Sequence, residues 1–113
     1  MVVDILQVIA AVATVLTGLI SLIWPRAVRG FTGLNAEGGR GITEIRAVLG
    51  GFFVALGVTP LILGVPATYQ MLGIAYLVVG GTRAVSMFVD DSVVRSNIIS
   101  LAVEIVFGII LVL

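Results

Sequence analysis

The chain has no cysteine and no histidine, and none of its six basic residues is lysine. Without cysteine there is no disulfide and no thiol redox chemistry. Without either residue the commonest protein ligands for zinc, haem and chlorophyll are missing. Histidine is also the usual general base near neutral pH, so that chemistry loses its first candidate. Charge is the next scarcity: only 11% of the 113 residues are Asp, Glu, Lys or Arg, where a soluble domain carries about a quarter. Six acidic residues balance six arginines, so no global field recruits nucleic acid.

What is present is apolar. Hydrophobic residues make up 60% of the chain, and the mean hydropathy is +1.29. Four stretches are candidates to cross a bilayer, which takes about 20 mainly apolar residues. Residues 5–24 are uncharged. Residues 47–63 are uncharged, and their helix is expected to begin near Ile42. Residues 67–82 are uncharged and continue through Arg83 to Val89. Residues 97–113 carry only Glu104. The expected fold is therefore all-α: a polytopic membrane protein with four transmembrane helices in an antiparallel bundle. The spans fall at about 4–24, 42–64, 66–89 and 94–113, in one transmembrane domain covering residues 1–113. A signal peptide is the competing reading of the first stretch. Asp4 stands where its basic region belongs, and no convincing cleavage site precedes Pro25.

The connections differ in kind. Residues 25–41 read as a long polar loop with Arg26, Arg29, Glu37 and Arg40. Gly64-Val65-Pro66 is a tight turn, with glycine suited to close one helix and proline to open the next. The third connection holds Asp90, Asp91, Ser92 and Arg95, and Asp91 or Ser92 is expected to cap helix four. Loops one and three share a side and hold four arginines, while the termini and the middle turn hold none. The positive-inside rule then puts loops 25–41 and 90–95 in the cytoplasm and both termini outside, across the inner (plasma) membrane. Arg26, Arg29 and Arg40 suit anionic lipid headgroups there.

Lipid offers no hydrophobic drive for helix association, so small residues and hydrogen bonds must supply it. Gly50, Gly57 and Gly64 in helix two, and Gly73 and Gly80 in helix three, recur every seven residues and so stay on one face. The expectation is that these faces meet in a tight helix two–helix three hairpin. Helix one carries a seam of Asp4, Gln7, Ala11, Thr14, Gly18 and Ser21. Helix four carries Asn97, Ser100, Glu104 and Gly108.

Three charges interrupt the apolar runs: Arg46, Arg83 and Glu104. In hydrocarbon each costs roughly 2.5–3.5 kcal/mol on insertion scales, so pairing is expected. Arg46, four residues before Gly50, and Arg83, three after Gly80, are expected to share the glycine faces, and Glu104 lies on the helix-four seam, which makes an Arg46–Arg83–Glu104 set reasonable, with Glu44 either balancing it or facing headgroups. Two readings stay open. One is a structural ion network that holds helices in register. The other is a site for a small anion, a lipid headgroup or a proton.

Other motifs are weaker. Glu37-Gly38-Gly39-Arg40-Gly41 is glycine-rich before a helix, yet it lacks the lysine and the strand of a phosphate-binding loop and reads as a flexible turn. Asp90 and Asp91 are too few oxygens for a cation site. No metal site and no cofactor is expected. Tyr69 suits an interfacial anchor and Tyr76 core packing, and no nucleophile–base pair can be assembled.

The stretch Thr43-Glu44-Ile45-Arg46-Ala47-Val48-Leu49-Gly50-Gly51, the element Gly81-Thr82-Arg83 and the acidic Glu104 in helix four resemble the pattern of a bacterial family of small four-helix membrane proteins with no assigned function. That family usually has an aromatic residue where this chain has Leu49. A more distant similarity is to DoxX-like four-helix proteins, some of which accompany oxidoreductases or act as assembly factors. The resemblance implies the fold and the charged set and supplies no reaction. Lacking cysteine, the chain is not expected to have a redox role of its own.

Two functions follow as expectations. The first is a non-enzymatic membrane protein working by contact: an accessory, structural or assembly subunit alongside membrane lipids and other membrane subunits or a second copy, without nucleic acid. The alternative is a small transporter, or a lipid, anion or proton carrier, using Arg46, Arg83 and Glu104.

Overall fold

The computed structural model describes residues 1–113, and every regular element is helical. Helix α1 runs Val2–Ile23, α2 Gly38–Leu63, α3 Pro66–Val89 and α4 Arg95–Val112. Each is long and apolar enough to cross a bilayer. Even the 18-residue α4 reaches about 27 Å at 1.5 Å per residue, close to a hydrocarbon core of about 30 Å. Large apolar side chains stand on the surface, with Ile62 74% and Phe88 80% exposed. Such a surface fits lipid rather than water as the solvent.

Helix α2 departs from the sequence expectation twice. It begins at Gly38, not near Ile42, so the glycine-rich stretch expected as a turn is the first turn of the helix. The i, i+4 pair Arg40–Glu44 supports that turn, with Nη1 and Oε1 3.0 Å apart, and the Thr43 hydroxyl donates to the Gly39 carbonyl. The second departure is a change of pitch. Residues Ile45–Phe52 are π-helical, between α-helical Gly38–Glu44 and Phe53–Leu63. Gly64, with φ +64°, ends α2 by returning its N–H to the Pro60 carbonyl at 2.9 Å, and Pro66 opens α3.

The chain forms two compact units. The first is Ile9–Gly64. In it α1 and α2 run antiparallel with almost no side chain between them. A Cβ built on Gly18 would lie 2.7 Å from the Val54 nitrogen and 2.8 Å from the Gly50 carbonyl oxygen. One built on Gly57 would lie 2.7 Å from the Ala11 oxygen, and one on Gly50 3.0 Å from the Leu22 backbone. The buried residues of α1 are Ala10, Ala11, Thr14, Gly18 and Ser21; they include four residues of the seam read from the sequence and add Ala10, while Asp4 of that seam is exposed and Gln7 half-buried. Its hydroxyls are satisfied within the helix: Thr14 donates to the Ala10 carbonyl at 2.8 Å and Ser21 to that of Thr17 at 3.1 Å. Beyond α1, the stretch expected as a long loop is partly ordered into a 3-10 turn, Pro25–Val28, and a single helical turn, Arg29–Thr32. The turn buries Pro25 and Val28, and it touches the π-helical segment of α2.

The second unit comprises Met1–Val8 and Val65–Leu113. Here α3 and α4 run antiparallel on their own glycines. A Cβ on Gly73 would lie 2.8 Å from that of Leu111 and 3.0 Å from the Gly108 oxygen, and one on Gly108 would strike Leu77. Gly80 faces Ile105 and Glu104. Tyr76 sets its ring edge-on to Phe107, centroids 5.6 Å apart. The start of α1 joins this unit through Gln7, whose Nε2 donates to the Ile110 carbonyl at 3.1 Å.

The glycines therefore do serve close approach, but with partners other than those expected. Gly50 and Gly57 receive α1, and Gly73 and Gly80 receive α4. Gly64 packs nothing and is a cap. The reason is complementarity. Gly18 and Ala11 on α1 and Gly108 on α4 supply the opposing small positions.

Candidate functional site

The charged centre lies in the second unit. Arg83 follows Gly80 by three residues on α3, and Glu104 precedes Gly108 by four on α4. Helical spacing therefore brings both onto the glycine seam, where backbone proximity places them within reach of each other. They meet side by side: Arg83 Nε donates to Glu104 Oε1 and Nη2 to Oε2, each at 2.8 Å. This two-point geometry is the strong form of the pair. Arg83 Nη1 donates to Asn97 Oδ1 at 2.9 Å, and Asn97 Nδ2 in turn donates to the Ser92 carbonyl at 2.9 Å. The Glu104 side chain is 10% exposed and that of Arg83 29%. No buried side-chain nitrogen or oxygen lacks a partner. The charge is thus balanced where burial would otherwise be costly.

The expected three-charge set is not assembled. Arg46 is exposed and makes no ion pair. In the π-helical stretch the buried positions are Ile45 and Gly50, five residues apart. An α-helical repeat of four would have put Arg46 with Gly50; the i→i+5 turn brings Ile45 there instead. Glu44 is held by Arg40 on the surface, where both side chains are more than half exposed, and so does not balance Arg83. Arg26, Arg29 and Arg40 are exposed.

The cap of helix four also differs. The N-cap position is Val94, with no side-chain hydrogen bond. Asp91 instead adopts a left-handed conformation, φ +52°, that lets the Ser92 N–H return to the Met87 carbonyl at 2.9 Å and end α3. Asp90 accepts from the Ser86 hydroxyl at 2.5 Å. Nowhere do three His, Cys, Asp or Glu side chains converge as a metal site would require.

Asn97 is the functional side chain that sequence reasoning left out of the charged set. Its signal was present in the stripe Asn97, Ser100, Glu104, Gly108, because a residue seven before Glu104 lies on the same face. Arg83 and Asn97 also line an open cavity of about 350 Å³. Val78, Val79 and Met87 form its apolar wall, and Thr82, Ser86 and Ser92 its polar rim.

Comparison with curated proteins and with solved structures returns no match for the chain. A family model does match, described as Domain of unknown function (DUF4345), over residues 2–113. The chain, with its paired glycine seams and its Arg83–Glu104 tie, belongs to that family of unknown function.

Proposed function

We propose that the chain is a non-enzymatic integral membrane protein that works by contact, as an accessory, structural or assembly subunit of a larger membrane complex. The observation that carries this reading is the two-point bond between Arg83 and Glu104, completed by Asn97. A carboxylate committed through both oxygens to one guanidinium is a register device between two helices. To carry an anion or a proton it would first have to give up both bonds, which weighs against the transporter reading. The distant likeness to DoxX-like proteins, of which some are assembly factors, points the same way.

The orientation belongs to the same proposal. Arg26 and Arg29 lie in the first connection, Arg40 in the first turn of α2 and Arg95 at the start of α4, all at the helix ends placed on the cytoplasmic side of a bacterial inner membrane. Exposed Arg46, about two turns into α2 from its start near that side, reaches back to anionic headgroups.

Purification from native membranes in mild detergent tests the contact role. A defined set of membrane partners is expected to accompany the chain. Recovery only as free monomer or homodimer, with liposome flux of protons or anions that is abolished by Glu104→Ala, would instead establish the carrier.

A further inference from the structure

The cavity beside Arg83 borders donors that the tie does not engage. A guanidinium carries five N–H donors, and three are engaged, two by Glu104 and one by Asn97. Two remain on a side chain that is 29% exposed and lines an open cavity of about 350 Å³. That volume lies within the range of small-molecule sites, roughly 300–1,000 Å³.

The chemistry of the walls restricts what can enter. Glu104 already neutralises Arg83, so the site has donors without net charge to attract a free anion. Asn97 is engaged once at each end, its oxygen by Arg83 and its nitrogen by the Ser92 carbonyl. Thr82 and Ser86 direct their hydroxyl protons to the Val78 carbonyl and to Asp90. No hydrogen bond in the structure occupies the two remaining Arg83 N–H groups. Val78 and Val79 line the same cavity on the exposed side of a helix that is apolar enough to span the membrane.

We infer that this cavity binds a carbonyl-bearing amphiphile, its carbonyl oxygen accepting from the free N–H groups of Arg83 and its apolar part lying along Val78 and Val79. Two membrane-soluble classes carry that carbonyl: the ester of a glycerolipid and the ring of a quinone. The inference is independent of the accessory role, since it concerns only donors that the Arg83–Glu104 tie leaves over.

The test is binding to the full chain in an alkyl maltoside detergent, which has no carbonyl, read by native mass spectrometry. Three probes are used: dioleoyl phosphatidylglycerol, its diether analogue without ester carbonyls, and a decyl-substituted benzoquinone. Preference for the diester over the diether by about tenfold, the worth of one hydrogen bond to a charged donor, assigns a glycerolipid. Binding of the benzoquinone with no diester preference assigns a quinone. Thr82→Leu and Ser86→Leu fill the cavity and leave Arg83, Glu104 and Asn97 untouched. Either variant, with an unchanged unfolding midpoint, is expected to weaken the bound probe by about tenfold or more. Equal binding of diester and diether together with no benzoquinone binding overturns the inference, as does binding that both filled variants retain.

Discussion

Arg83 and Glu104 are 21 residues apart in sequence and meet through two parallel hydrogen bonds of 2.8 Å, one from each side of the guanidinium edge. Their helices approach this closely because Gly73, Gly80 and Gly108 remove the side chains that would hold them apart. The tie and the glycine seam are therefore one device: the seam sets the distance and the ion pair sets the register.

Removing one partner is expected to cost more than removing both. Glu104→Ala leaves a guanidinium without its counter-charge, and Arg83→Ala leaves a buried carboxylate; each loss is expected to be about 3–5 kcal/mol. The double variant Arg83→Met/Glu104→Leu restores apolar contact and is expected to unfold later than either single variant. A double-mutant cycle of Arg83→Met, Glu104→Leu and their combination on thermal unfolding in detergent measures the coupling, and a value near zero would disprove the direct bond.

The glycines divide into two classes that alanine substitution separates. Gly81 has nothing within 4 Å of a built Cβ, so Gly81→Ala is expected to stabilise by up to about 1 kcal/mol through the helix preference alone. At Gly57 the same carbon would lie 2.6 Å from Val15 Cγ2 and 2.7 Å from the Ala11 oxygen. The second contact is backbone and cannot yield, so α1 and α2 must separate and the unfolding midpoint must fall. Equal behaviour of the two variants would contradict the seam.

The faces of the helices were legible in the sequence, but their partners were not. Ala11, Thr14, Gly18 and Ser21 recur at helical spacing and are buried together, and Glu104 and Gly108 were likewise read as one stripe and are buried. Periodicity identifies a face because it follows from pitch. It carries no information on which other face lies opposite, and so Gly50 and Gly57 were assigned to helix three although they receive α1. The π-helical stretch at Ile45–Phe52 was hidden for a related reason. Its residues continue an apolar pattern that does not distinguish π from α pitch, and the wider turn lies where α2 packs against α1 and the Pro25–Val28 turn. Arg46 was misplaced as a consequence.

Arg46 and Arg83 are consequently expected to differ in kind. Arg46 is exposed and makes no ion pair, so Arg46→Gln should leave the unfolding midpoint in neutral detergent unchanged. Its effect should emerge in vesicles, as weaker retention of phosphatidylglycerol relative to phosphatidylcholine. Arg83→Gln should lower the midpoint in both settings. A fall of equal size for Arg46→Gln in neutral detergent would restore the three-charge set.

The absence of cysteine makes orientation directly measurable. A single cysteine introduced at Asn35, in the first connection, is expected to resist a membrane-impermeant maleimide in intact spheroplasts and to react after lysis. One introduced at Val65, in the turn between α2 and α3, is expected to react in intact spheroplasts. The reverse pattern would invert the proposed topology and remove the headgroup role assigned to Arg26, Arg29 and Arg40 on that side.

Asn97 provides the finest test of the site, because it acts in two directions at once. Its oxygen takes the third hydrogen bond from Arg83 and its nitrogen holds the Ser92 carbonyl, tying the tie itself to the α3–α4 connection. Asn97→Ala strands both groups and is expected to cost about 1–3 kcal/mol. Asn97→Asp keeps the acceptor for Arg83 and loses the donor to Ser92, while adding a second carboxylate beside a guanidinium already engaged by Glu104. An Asn97→Asp unfolding midpoint above that of Asn97→Ala would establish that the bond to Arg83, and not only the hold on Ser92, carries stability, so that Asn97 belongs to the charged centre. Equal midpoints in the two variants would place Asn97 with the loop alone.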